Sequence, residues 1–147
     1  MARALVLMGS GETSPTMVTP HQQILKNVTG KKFILDTPYG FQENADELTE
    51  KIRSYFEVNV GIKAEDARLR TQVDRAADIA NAIANINSAE WVFTGPGSPT
   101  YALKTWRETG ASEALKNLLT RGTLVVSSAA ALTVGTHTMP VYEMYKV

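Results

Sequence analysis

The sequence predicts an α/β fold built on a mostly parallel sheet with helices on both faces, a three-layer sandwich. Three observations carry this. Apolar runs of strand length alternate with stretches of helical periodicity, at spacings of about thirty residues, and right-handed crossovers between parallel strands place the helices on the two faces. Two of the runs end in small-residue loops, GSGE at 9–12 and TGPGSP at 94–99, as strands of such sheets do where ligands gather. The run Leu124, Val125, Val126 passes through Ser127 and Ser128 straight into Ala129, Ala130, Ala131 and Leu132, which exchanges strand composition for helix composition without a linker.

Length and charge narrow the class. A chain of 147 residues fits one domain, residues 1–147, able to bury about two thirds of its unfolded surface. Fifteen basic and fifteen acidic residues cancel, so nothing in the charge favours nucleic acid or an anionic membrane as partner. There is no cysteine, which excludes disulfides, a thiol nucleophile and a thiolate metal site and suits the cytoplasm. The start, MARALVLMGSGE, is too short and too weakly charged for a signal peptide or a membrane span.

In order, Arg3 to Met8 form a first strand meeting Gly9, Ser10, Gly11 and Glu12. A dinucleotide fingerprint would need glycine where Ser14 stands, so a simple turn competes with a ligand loop. Thr19, Pro20 and Gln22 have the pattern of a capping box with proline in the first turn, and His21 is expected on that helix's solvated face. Lys32 to Leu35 form the next strand, closed by Asp36 to Gly40. Asn44 and Glu47 can cap a helix whose Ala45, Leu48, Ile52, Tyr55 and Phe56 share one face. Val58, Val60 and Ile62 alternate with polar residues and glycine, which predicts an edge strand. Asp74 then opens a helix with Ile79, Ile83 and Ile86 on one side, and Trp91 to Phe93 form a strand ending in the glycine loop. Ser98 with Pro99 starts a helix carrying Tyr101, Leu103 and Trp106, and Ser112 to Leu119 form another, stopped by Gly122.

After Gly135 the chain runs through His137 to VYEMYKV, in which Glu143 shares a face with Val141, Tyr145 and Val147. A carboxylate in that company either has a partner or lies at an exposed edge. Because the pattern is strand-like and has no terminator, the chain reads as the front part of something longer. A sheet cut at such a point leaves an unpaired edge through which copies could form a homo-oligomer.

The two serines admit two readings. A hydroxyl at a strand-to-helix turn is pushed out of the sheet edge above the amides of the next helix, as a nucleophile is held on an elbow. Serine is equally a common helix N-cap. The usual elbow has glycine two residues to either side, whereas Ser128 has Val126 and Ala130.

Together GSGE at 9–12, FTGPGSP at 93–99 and VSSAAAL at 126–132 resemble the serine peptidase family that contains dipeptidase E and cyanophycinase, through essentially the whole chain. The resemblance implies the class I glutamine amidotransferase-like, flavodoxin-like fold and a hydrolase of peptide or amide bonds. It puts Ser128 on the nucleophile and implies an oxyanion hole from the Ala129 amide and the Gly95 to Gly97 loop. Pro96 has no N–H, so Gly97 leads and Gly95 follows. Glu143 falls on the triad's acid, between serine and histidine in chain order, while the family's histidine lies downstream of Val147. His137 is a poor substitute, because a helix from Ser128 to about Val134 rises roughly 10 Å and carries it away from the hydroxyl. Taken literally the chain lacks its base and would be inactive.

Two other readings stand beside this one. A non-catalytic domain could use Gly9, Ser10, Gly11, Glu12 and the Gly95 loop to hold a small anion or amide. A flavodoxin-like cofactor protein is disfavoured, since no clear Ser/Thr-rich phosphate loop follows the first strand. No cofactor and no metal are expected, and the expected partner is a small peptide or amide substrate.

Overall fold

The computed structural model of the protein describes residues 3–141. Five strands form one all-parallel sheet: β1 (Ala4–Met8), β2 (Lys31–Leu35), β3 (Glu65–Ala67), β4 (Ala89–Thr94) and β5 (Thr123–Ser127), in the order β1-β5-β4-β2-β3. Between and after them come α1 (Val18–Leu25), α2 (Ala45–Ser54), α3 (Ala76–Ser88), α4 (Pro99–Thr109), α5 (Ala111–Leu119) and the short α6 (Ala129–Leu132).

The layers follow from the period-two alternation of the strands. Phe33, Leu35, Val92, Leu124 and Val126 point to one face and pack with Ala82 and Ile86 of α3, Trp106 of α4 and Leu115 and Leu118 of α5. Ile34, Trp91, Phe93 and Val125 point to the other, against Leu25 of α1, Ile52 of α2 and Tyr55 and Phe56 just beyond it. A parallel sheet is stable when both faces are covered, and β5 is buried along its whole length. Strand β1 is the exception. Val6 and Met8 pack into the second cluster, but Leu5 and Leu7 on the opposite side are 43% and 60% exposed. Leu5 borders an apolar groove of about 290 Å³ whose lining also includes Trp106, Leu124, Val126 and Val134. No helix of the described residues is long and apolar enough to cross a membrane.

The expected strand at Val58–Ile62 is not one. The chain continues from α2 into a wide helical turn, Tyr55–Val60, with the Gly61 amide reaching back to the Phe56 carbonyl at 2.8 Å. Val60 is 5% exposed and Val58 76%, an asymmetry that a strand with both on one face would not produce. Burial of Tyr55, Phe56 and Val60 on one side of the turn overrides the alternation, and Gly61, at φ 87°, ends it. The edge strand is instead the three-residue β3, paired with Phe33–Leu35. The expected caps differ too. Neither the residue before α1 nor Asn44 before α2 makes a side-chain cap bond, and the Asp74 carboxylate closes the preceding loop by accepting from the Arg70 and Thr71 amides at 3.0 and 3.1 Å.

Strand β3 carries Asp66, whose buried Oδ1 has no partner among the described residues. Burial, and secondarily the charge of Asp36, push its pKa up from 3.8 to about 6. A carboxyl whose pKa rises on folding contributes stability that is complete below the unfolded pKa of 3.8 and is lost as pH climbs through about 6. Asp66→Asn removes this titration. Its stability relative to wild type should therefore rise by about 1–2 kcal/mol between about pH 4 and about pH 7.5, discounted for partial exposure. Denaturant midpoints at the two pH values measure the change, and a constant difference would show a fully solvated carboxylate.

Candidate active site

The order of the sheet brings three loops to one edge. Met8 pairs with Ser127 and Thr94 with Val126, so the segments after β1, β4 and β5 leave the sheet side by side. Two backbone bonds tie them: the Ser128 amide donates to the Met8 carbonyl and the Ala130 amide to the Gly95 carbonyl, each at 3.1 Å. Gly9 to Glu12, Gly95 to Gly97 and Ser128 with Ala129 are thus gathered in one place.

The two serines part company here. Ser127 is buried, and its Oγ has no hydrogen-bond partner among the described residues. Ser128 is half-buried, at φ 50° and ψ −122°, and is the only non-glycine residue with positive φ among the described residues. A β-carbon in such a region costs of order 1–3 kcal/mol and is kept only where the surroundings impose it. Ser128 stands at the N-cap position of α6 but makes no side-chain cap bond. Val126 and Ala130, two residues to either side of it, both pack in the cluster under α4 and α5.

Gly97 adopts φ 135°, and a β-carbon there would overlap the Pro38 carbonyl. That carbonyl accepts the Ser98 amide at 2.8 Å. The Ser98 Oγ in turn accepts the Tyr101 amide at 3.2 Å and caps α4, with Pro99 at the first helical position, as expected from the sequence. Ala129 opens α6, and the amides of a first helical turn have no intrahelical acceptor.

The loop after β1 has an exposed tip, Gly9 to Gly11, and an anchored base. Glu12 is 8% exposed. Its carbonyl accepts the His21 Nε2–H at 2.7 Å, and the Tyr55 hydroxyl donates to the Ser14 carbonyl at 3.0 Å. His21 is therefore not on a solvated face. It is wholly buried, with its ring edge-on to Phe56 at 4.9 Å, and burial lowers its pKa from the ordinary histidine value. Proline, two glutamines and a threonine around it concealed that the ring reaches under the first loop. His137 is exposed and borders an open cleft with Lys104 and Arg107 of α4. Glu143 lies outside the described residues.

Sequence reasoning missed the support beneath the glycine loop. Asp36 is wholly buried and accepts from the Leu69 amide and from Arg70 Nε, both at 2.8 Å. The only trace of it in the sequence is an aspartate directly after an apolar strand.

A strained serine at the carboxyl end of a parallel sheet, beside a glycine loop, is an arrangement shared by α/β hydrolytic enzymes. The chain belongs to peptidase family S51, whose model matches residues 5–145. In structure it is similar to a crystallised peptidase from an acI-B1 actinobacterium, with a TM-score of 0.71 and 19% identity over 91% of this chain and 57% of that one. It is also similar to a putative peptidase E protein from Listeria monocytogenes EGD-e, with a TM-score of 0.62 and 19% identity over 87% and 59%. The chain thus spans under three fifths of the length of these solved chains. No curated protein matches it in sequence.

Proposed function

We propose that the chain carries the nucleophile and oxyanion hole of a serine-type hydrolase of peptide or amide bonds. The observation that supports this most directly is the backbone of Ser128, a non-glycine residue held at φ 50° without serving as a cap. In this reading the Ser128 Oγ adds to the substrate carbonyl carbon and gives its proton to a base. The Gly97 and Ala129 amides, with Gly95 second, hold the oxygen that becomes negative, and the C–N bond then breaks as the amine takes up the proton. Each such donor is typically worth about 3 kcal/mol in the transition state. Neither histidine of the chain is the base in this scheme: His21 is buried and committed to the Glu12 carbonyl, and His137 borders the α4 cleft. In this reading Glu143 orients that base. Gly9 to Glu12 would border the substrate.

The test is covalent modification. Incubation with a fluorophosphonate followed by peptide mapping should place the adduct on Ser128, and Ser128→Ala should carry none. A folded sample whose Ser128 stays unmodified, both in this chain and in any naturally longer form, would sink the reading in favour of a non-catalytic domain.

A further inference from the structure

We propose that Arg70 is a positioning residue for this site, acting through Asp36 and the Thr37–Tyr39 turn to set the Gly95–Ser98 loop. The assignment rests on the roles given to Ser128 and Gly97 above.

The connection runs through short contacts. Arg70 follows β3 and is held from three sides: Nε donates to Asp36 Oδ2 at 2.8 Å, Nη2 to Asp46 Oδ1 of α2 at 2.6 Å, and its carbonyl accepts the Tyr101 hydroxyl of α4 at 2.5 Å. The second Asp36 oxygen takes the Leu69 amide. Main-chain and hydroxyl bonds then fasten the turn: the Tyr39 amide donates to the Asp36 carbonyl at 3.2 Å and Thr37 Oγ1 to the Leu69 carbonyl at 2.6 Å. The group this turn presents to the active-site loop is the Pro38 carbonyl. It takes the Ser98 amide and occupies the space a side chain at residue 97 would need. The loop is therefore tied to Pro38 through the Ser98 amide and packed so closely on it at Gly97 that no side chain fits between them, and Pro38 is fixed through Asp36 and Arg70.

A buried ion pair contributes little net stability but orients strongly, because losing one partner strands the other charge out of water. The guanidinium also presents a planar fork that reaches two carboxylates at once, which an ammonium does not reproduce. Displacing a positioned donor by about 1 Å can cost about a hundredfold in rate.

Arg70→Met is the test, read by amide exchange at Ser98 and by the fluorophosphonate rate at Ser128. Exchange at Ser98 should accelerate at least about tenfold while the Val92 and Val125 amides of β4 and β5 keep wild-type protection, because the change is local. The labelling rate should fall by about 10- to 100-fold, with Arg70→Lys in between. Should Arg70→Met fail to fold, Asp36→Asn with Arg70→Met removes both buried charges and should show the same two changes. Unchanged protection at Ser98, or an unchanged labelling rate in a variant whose wild type labels, overturns the assignment and leaves the hydrolase reading intact. A wild type that never labels, both in this chain and in any naturally longer form, overturns the hydrolase reading and the catalytic purpose of the seat, whereas Ser98 exchange still reports whether Arg70 holds the loop.

Discussion

Ser128→Gly is expected to abolish fluorophosphonate labelling and at the same time to stabilise the fold by about 1 kcal/mol. The two effects have one cause. At φ 50° and ψ −122° the β-carbon of Ser128 is strained, and glycine removes about 1–3 kcal/mol of that strain while returning about 0.5–1 kcal/mol through the greater freedom of the unfolded chain. The melting temperature should rise by roughly 2–4 °C, the scale for a domain of this size. Ser128→Ala keeps the β-carbon and the strain, so it should lose labelling with little gain in stability. If the serine were a helix cap, replacement by glycine would cost a few tenths of a kcal/mol and replacement by alanine about 1. Thermal unfolding of both variants separates the cases, and a glycine variant less stable than wild type would remove the strain argument.

Gly97→Ala is expected to lower the labelling rate by about a hundredfold or more, the scale of one lost oxyanion donor. The added methyl would overlap the Pro38 carbonyl and crowd the Tyr39 amide at 2.8 Å, in a backbone conformation that already disfavours it. The loop must move away, breaking the bond from Ser98 to Pro38 and carrying the Gly97 amide with it. Neighbouring glycines provide the scale. A methyl at Gly95 would come to 3.1 Å from Ser127 Oγ, close enough for a smaller effect, whereas one at Gly9 meets nothing within 4 Å and leaves the loop where it is. Labelling of the Gly97 variant at the wild-type rate would show that the residue 97 amide does not face the reacting oxygen.

The strain at Ser128 and the clamp at Asp36 and Arg70 belong to one arrangement. A residue in a costly backbone conformation persists only where neighbours over-determine it. Here those neighbours include the Met8 carbonyl below Ser128 and the Gly95 carbonyl beside it. The loop bearing Gly95 is itself set on the Pro38 turn.

Which segments become β1, β2, β4 and β5, and which loops end them, could be read from residue order, because apolar runs, glycines and the Ser98–Pro99 cap act over a few residues. The same locality explains the failures. Val58, Val60 and Ile62 carry a strand's alternation, yet the aromatic burial of Tyr55 and Phe56 keeps that stretch helical, and the edge strand forms at Glu65–Ala67 against the backbone of β2. His21 has an unremarkable local context and is buried because a loop nine residues earlier folds over it and the rings of Tyr55, Phe56 and Phe93 surround it. Which of two adjacent serines reaches solvent, and that Asp36 meets Arg70 across thirty-four residues to seat a third segment, depend on strand order and on packing between elements. Such contacts leave no periodic trace in a chain, since they join positions whose separation no local rule relates.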